Sequence, residues 1–140
     1  MDYKEFKTGV IALFYENKIL ILKIGSTAPW MPNKWSIVGG VIEDNETPKN
    51  AILREGFEEI GLIPKNVSFK YKKETDDCGT IFYYSGILEN NDVKLDYENS
   101  EFKFITKDEV DNYDFVPHVK EFIIQLFSNK KYDIKFKKIK

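Results

Sequence analysis

Between Thr47 and Gly61 the chain carries the start and stop signals of one helix. Thr47 can accept from the free amides of a first turn, and Pro48 fits the first helical position, where its missing donor costs nothing. Gly61 can take the left-handed conformation that closes a helix. Between these signals, Ile52, Leu53, Gly56, Phe57 and Ile60 fall on one side at helical spacing. Gly56 lies in the middle of that side and is expected to let the helix sit close to a sheet. Glu55, Glu58 and Glu59 share another side, being three and four residues apart. Three carboxylates on one face repel and resist joint ionisation. A hard divalent cation reverses that balance, because Mg²⁺ seeks oxygen ligands. The cluster therefore points to Mg²⁺, with Mn²⁺ as the alternative. The competing reading is a solvated acidic face, but it leaves Gly39-Gly40, the spacing to Glu46 and Arg54 unexplained.

Arg54 is the only arginine among the 21 Lys and Arg residues. It stands four positions before Glu58. Arginine offers a rigid fork that can seize a carboxylate with two bonds, whereas lysine offers a mobile point charge. Arg54 is read as the residue that fixes a ligand carboxylate in place.

Gly9–Tyr15 and Lys18–Ile24 are apolar and β-branched, and the short Glu16-Asn17 link makes them a hairpin. Residues 25–38 read as a loop holding Trp30 and Trp35. Trp35 is expected in the core, while Trp30 and Met31 are candidates to line a substrate pocket and stack on a base. Lys23 is either a cation aimed at a substrate phosphate or an ordinary strand-end lysine. Pro64-Lys65-Asn66 reads as a turn. Val67–Glu74 and Gly79–Leu88 read as strands joined by a turn at Asp76–Gly79, and Glu89–Ser100 as a loop. Glu101–Ile105 reads as a short strand, Thr106 as the cap of a short helix, and residues 117–128 as a final amphipathic helix. His118 reads as a polar surface residue with no ligand partner at metal spacing, and Cys78 as a small packed or surface residue. The Lys-rich tail, with Tyr132, Ile134 and Phe136 alternating, reads as an edge strand or as a weak attraction for phosphates.

At 140 residues the chain is expected to form a single domain, 1–140. A net charge of -2 gives no basic field for nucleic acid. One cysteine excludes an internal disulfide and fits a reducing compartment. No apolar run reaches the roughly 18 residues of a membrane span, and MDYKEFKTG is not a signal peptide. The expectation is a soluble cytoplasmic protein, with a homodimer possible.

The run from Gly40 through Glu46, Arg54, Glu55, Glu58, Glu59 and Gly61 to Leu62 resembles the signature box of the Nudix hydrolases. One position departs: Gly56 stands where that family usually has an aliphatic residue. The turn before the box is Val38-Gly39-Gly40, without the family's usual proline. The resemblance implies an α/β fold, the Nudix-type α/β/α sandwich with a mixed β-sheet. It implies metal-dependent hydrolysis of a nucleoside diphosphate linked to another moiety. Glu55, Glu58 and Glu59 would bind the ions together with the carbonyl of Gly39. Glu98, in the polar loop before the alternating strand, would join them, with Glu101 as the second candidate. Either Glu55 or Glu98 would deprotonate the water. Glu46 would help orient the box near Arg54. The window Asp77–Thr80 lacks the Pro or Tyr that marks certain subgroups, which favours a nucleoside triphosphate or a nucleotide sugar. A Nudix-fold module that senses a nucleotide without cleaving it, and an enzyme acting on RNA 5′ ends, are the alternatives.

Overall fold

In a computed structural model describing residues 6–128, the first hairpin splays open and a later segment fills the gap. Strand β1 (Lys7–Tyr15) and β2 (Lys18–Ile24) pair only at Phe14↔Ile19 and Tyr15↔Lys18. Glu16 and Asn17 both have positive φ, as a two-residue hairpin turn requires. Beyond the turn the chain returns as β3 (Trp35–Ser36) and β4 (Val38–Val41). Strand β3 pairs with the far end of β2, and β4 pairs antiparallel with Thr8–Ile11 of β1. The loop expected over residues 25–38 is thus corrected at its end, where a strand is needed to satisfy edges the splayed hairpin leaves open.

The remaining strands extend the sheet on both sides. Strand β5 (Lys65–Glu74) pairs antiparallel with β6 (Thr80–Ile87), and β6 runs parallel to β1 from Lys7↔Thr80 to Phe14↔Ile87. Strand β7 (Asn99–Ile105) pairs antiparallel with β2. The sheet is mixed, as expected. The turn expected at Pro64–Asn66 is instead the start of β5, and a register irregularity between Lys65 and Ser68 accommodates Asn66 at positive φ.

Alternation along the strands builds two cores. Strands β1 and β2 send Ala12, Ile19 and Ile21 to one face and Ile11, Leu13, Leu20 and Leu22 to the other. The first face is covered by helix α2 (Lys120–Ser128) through Phe122, Ile123 and Leu126. The second is covered by helix α1 (Pro48–Ile60) through Ile52 and Ile60. Two helices on opposite faces of one sheet make the α/β/α sandwich. Between β7 and α2, a 3₁₀ helix (Lys107–Asn112) follows Thr106, whose amide and hydroxyl both donate to the Glu109 carboxylate. Helix α2 begins later than expected, at Lys120. The alternating tail lies outside the described residues.

Helix α1 keeps its expected caps. The Thr47 hydroxyl accepts from the Asn50 amide, and Gly61 closes the helix at φ 71°. Its buried side differs from the expectation: Phe57 is 62% exposed, while Glu59 is buried. The expected role of Gly56 is also corrected. A methyl there would meet nothing nearer than 3.6 Å, an ordinary contact. The close approach lies instead at Gly9, where a Cβ would stand 2.8 Å from the Ile52 side chain. Gly56 therefore leaves room for a methyl group. Gly56→Ala is expected to raise stability by about 1 kcal/mol, read as a higher melting temperature. A lower one would restore the tight-packing role.

Candidate active site

Strand β4 and the acidic face of α1 meet at Gly39 and Gly40. Gly39 has Gly9 O and the Val10 side chain where a Cβ would go, and Gly40 has the Glu55 carboxylate there. A side chain at Gly39 would strike backbone, whereas one at Gly40 would have to displace the Glu55 carboxylate. The bare strand lets the Gly39 N–H reach Glu59 Oε2 at 3.0 Å. Glu59 Oε1 accepts a longer bond from Asn99 Nδ2 at 3.4 Å.

Glu59 is 7% exposed, and burial pushes its carboxyl up to about 8. The Gly39 N–H pulls the other way, and the Glu55 charge adds to the rise. Burial also raises Glu55, opposed by its bond to Arg54. Glu58 is exposed.

Arg54 joins these carboxylates, and its fork falls differently from the sequence reading. Nε and NH2 donate to the two oxygens of Glu46 at 2.8 and 3.0 Å. NH1 donates to Glu55 at 2.9 Å and to Glu58 at 3.3 Å, and NH2 also reaches the Val41 carbonyl at 3.2 Å. The two-bond grip is on Glu46, eight residues earlier, and the carboxylate four residues on takes one long bond. Glu46 in turn accepts from the Glu43 amide at 2.9 Å, which ties the loop to the helix. The Arg54 bond holds Glu46 below the usual carboxylate range.

Two cavities share the wall made by Trp30, Ser36, Ile37, Gly39 and Gly40. One, of about 610 Å³, is lined by Glu59, Glu98, Asn99 and Tyr97. The other, of about 450 Å³, is lined by Val10, Ile81, Tyr83, Val116 and Val119, with Asp77, Cys78 and His118. Glu98 thus faces the same space as Glu59, and Gly39 and Trp30 border both cavities. Lys23 lines neither cavity. It pairs with Glu101 at 3.4 Å. Met31 also lines neither and packs against the core on the α2 side. Asn99 and Tyr97 were missed in the sequence, where a polar loop gives no periodicity to read.

The sequence also missed a cluster across the apolar cavity. His118 is not a lone surface residue: its Nε2 lies 2.7 Å from Asp77 Oδ1 and its Nδ1 lies 3.1 Å from Lys73 Nζ. Among the described residues, Asp77, Cys78 and His118 form the one group of three or more His, Cys, Asp or Glu side chains whose donor atoms lie within 4.8 Å of one another. Glu55, Glu58, Glu59 and Glu98 do not converge that tightly. No local signal could have paired residues 41 positions apart.

The donor set of Glu55, Glu58, Glu59 and Glu98 fits a hard cation. All are carboxylates, and one is buried beside the backbone of a strand with its charged form disfavoured. A divalent ion would supply the missing counter-charge.

The NUDIX domain profile matches residues 5–126. An RNA pyrophosphohydrolase from Pasteurella multocida (strain Pm70) is 49% identical over 39 residues, 28% of this chain and 20% of that protein. An 8-oxo-dGTP diphosphatase from Escherichia coli (strain K12) is 34% identical over 71 residues, 51% of this chain and 55% of that protein. The chain thus spans between a fifth and about half the length of these curated relatives. Among solved structures, a NUDIX hydrolase from Nitrosomonas europaea superposes with a TM-score of 0.74 at 19% identity, covering 91% of this chain and 72% of that one. The MutT protein from Methanosarcina mazei Go1 gives 0.69 at 19% identity, covering 90% and 94%. At such identities these likenesses establish the fold. Among the described residues no helix is long and apolar enough to cross a membrane.

A pH dependence follows from Glu59. Its carboxyl rises from 4.5 unfolded to about 8 folded, so the folded state holds the proton more tightly. The stabilisation is complete below 4.5 and is lost as pH rises to about 8. Without divalent metal, Glu59→Gln is expected to match wild type near pH 4.5 and to melt higher near pH 8, by on the order of a few kcal/mol. Melting curves across this range in chelator would check it, and parallel curves would refute the buried charge.

Proposed function

The chain belongs to the NUDIX family, and from that premise we propose that it hydrolyses a nucleoside diphosphate linked to another moiety, with the help of divalent cations. A nucleoside triphosphate or a nucleotide sugar is the favoured substrate. The observation that carries this reading is Glu59: a buried carboxylate held by the Gly39 amide, in a cavity it shares with Glu98. A buried carboxylate with so few partners is costly unless a cation joins it. The rival, a module that only senses nucleotides, gives no reason to keep every charged residue of the box.

Glu55, Glu58, Glu59 and Glu98 would hold Mg²⁺ or Mn²⁺ with the Gly39 carbonyl. Such ions neutralise phosphate charge and lower the pKa of water. The chain's own residues do the rest. Arg54 anchors on Glu46 with two bonds and spends its remaining nitrogen on Glu55 and Glu58, which fixes the carboxylates before substrate arrives. Glu55 or Glu98 accepts a proton from the attacking water. The water oxygen bonds to one phosphorus, the bridging P–O bond breaks, and each product keeps its own substituent. The apolar cavity takes the base, with Trp30 at its rim as the stacking surface. Lys23 and Met31 take no direct part in this arrangement. The E. coli relative named a diphosphatase matches half of this chain, and the net charge of -2 offers no field for a long RNA.

Purified protein assayed with Mg²⁺ against a panel of nucleoside triphosphates, nucleotide sugars and 5′-triphosphorylated RNA tests the reading. Metal-dependent hydrolysis of a small nucleotide into its two phosphorylated products supports it, and no hydrolysis of any substrate favours the sensing module. Glu58→Gln and Glu59→Gln are expected to lose at least about a hundredfold in kcat. Arg54→Lys keeps the charge but loses the grip on Glu46, and is expected to cost about ten- to a hundredfold in activity with a higher Mg²⁺ requirement. Overlapping Mg²⁺ titrations for wild type and Arg54→Lys would reduce Arg54 to a point charge.

A further inference from the structure

We propose that Asp77, Cys78 and His118 form a second metal site, suited to Zn²⁺ or a similar late divalent ion and separate from the carboxylate site. Three donors of different kinds, one oxygen, one sulfur and one nitrogen, lie within 4.8 Å of one another. Sulfur and imidazole select zinc-like ions over Mg²⁺, whereas the helix face offers only hard oxygen. A carboxylate and a thiolate together neutralise a dication, so the bound site carries no net charge. All three side chains line the apolar cavity, which leaves a fourth position open to water or a ligand.

The donors are held in place by independent restraints. Cys78 sits in the β5–β6 turn, where its amide donates to Thr75 Oγ1 at 2.9 Å and the same hydroxyl donates to the Gly79 carbonyl at 2.7 Å. Gly79 has φ 71°, as that turn demands. His118 comes from the segment before α2 and also has positive φ, an uncommon backbone for histidine. Tyr83 donates its hydroxyl to the His118 carbonyl at 2.7 Å. The strained residue is therefore fixed from the sheet.

Metal binding moves two protons. Lys73 now donates to Nδ1, so Nε2 carries the ring proton and donates it to Asp77. An ion at Nε2 moves that proton to Nδ1, and the Lys73 ammonium turns to solvent. The Cys78 thiol releases its proton to buffer on coordination. Lys73 is thus a competitor for the site, and removing its charge favours the metal.

Co²⁺ reads the site directly, because a thiolate ligand gives a charge-transfer absorption that carboxylates do not. The whole chain is titrated with Co²⁺ under excess Mg²⁺, which fills the oxygen site. Wild type is expected to develop the absorption at one equivalent and to lose it when Zn²⁺ is added. Cys78→Ser is expected to abolish it. His118→Gln and Asp77→Asn are expected to weaken Co²⁺ binding about tenfold or more, and Lys73→Gln to tighten it. Asp77 is exposed, so Asp77→Asn keeps the test open even where His118→Gln disturbs the fold. No thiolate absorption in wild type would overturn the site, as would equal affinity in wild type and Asp77→Asn. The outcome stands whether or not the chain hydrolyses nucleotides.

Discussion

The site depends on a steric constraint: β1, β4 and α1 come together at three glycines, where little room is left for a Cβ. Gly9 on β1 faces Ile52 on α1, Gly39 on β4 lies against the Gly9 carbonyl, and Gly40 lies against Glu55. A Cβ at Gly39 would strike the Gly9 carbonyl, so the close approach of β4 to β1 requires glycine there. With the helix seated, the Gly39 amide reaches Glu59 and the carboxylates of α1 border the strand. Close packing thus does electrostatic work, because it decides which carboxylate is buried and which stays in water.

Arg54 then organises what the packing leaves. Glu46 and Arg54 hold each other by two bonds, joining the loop before the helix to the helix itself. Each shifts the other in the expected sense, Glu46 down and Arg54 up. A partly exposed ion pair alone contributes little to stability. Its value here is geometric, because the same guanidinium also meets Glu55, Glu58 and the Val41 carbonyl. A planar fork can satisfy these partners from one position, and a lysine cannot.

Much of this was legible in the sequence, for reasons that differ by element. Thr47, Pro48 and Gly61 announce the helix because capping is local chemistry, and all three act as read. The hairpin was legible because apolar runs flank a two-residue link. The sequence misled wherever a long-range partner decided the outcome. Glu59 looked like one acidic residue among three, yet it is buried and takes the amide of a strand twenty residues away. Phe57 looked like core and lies in solvent, because the sheet covers only one side of α1. Strands β3 and β4 were hidden because they are short and exist to satisfy edges of other strands. His118 looked solitary because its neighbours Asp77 and Lys73 come from another hairpin.

The parallel ladder between β1 and β6 also governs how the protein is made. Strand β1 forms its longest pairing with a strand that leaves the ribosome much later, Lys7 meeting Thr80 and Phe14 meeting Ile87. Such distant pairings slow folding, because a long loop must close before any contact rewards it. Until Thr80–Ile87 emerges, one edge of β1 stays open while its apolar residues are already synthesised. That nascent chain is a sticky template, prone to pairing with other chains. The strand that carries Gly9 and Val10 is therefore exposed to misassembly during synthesis.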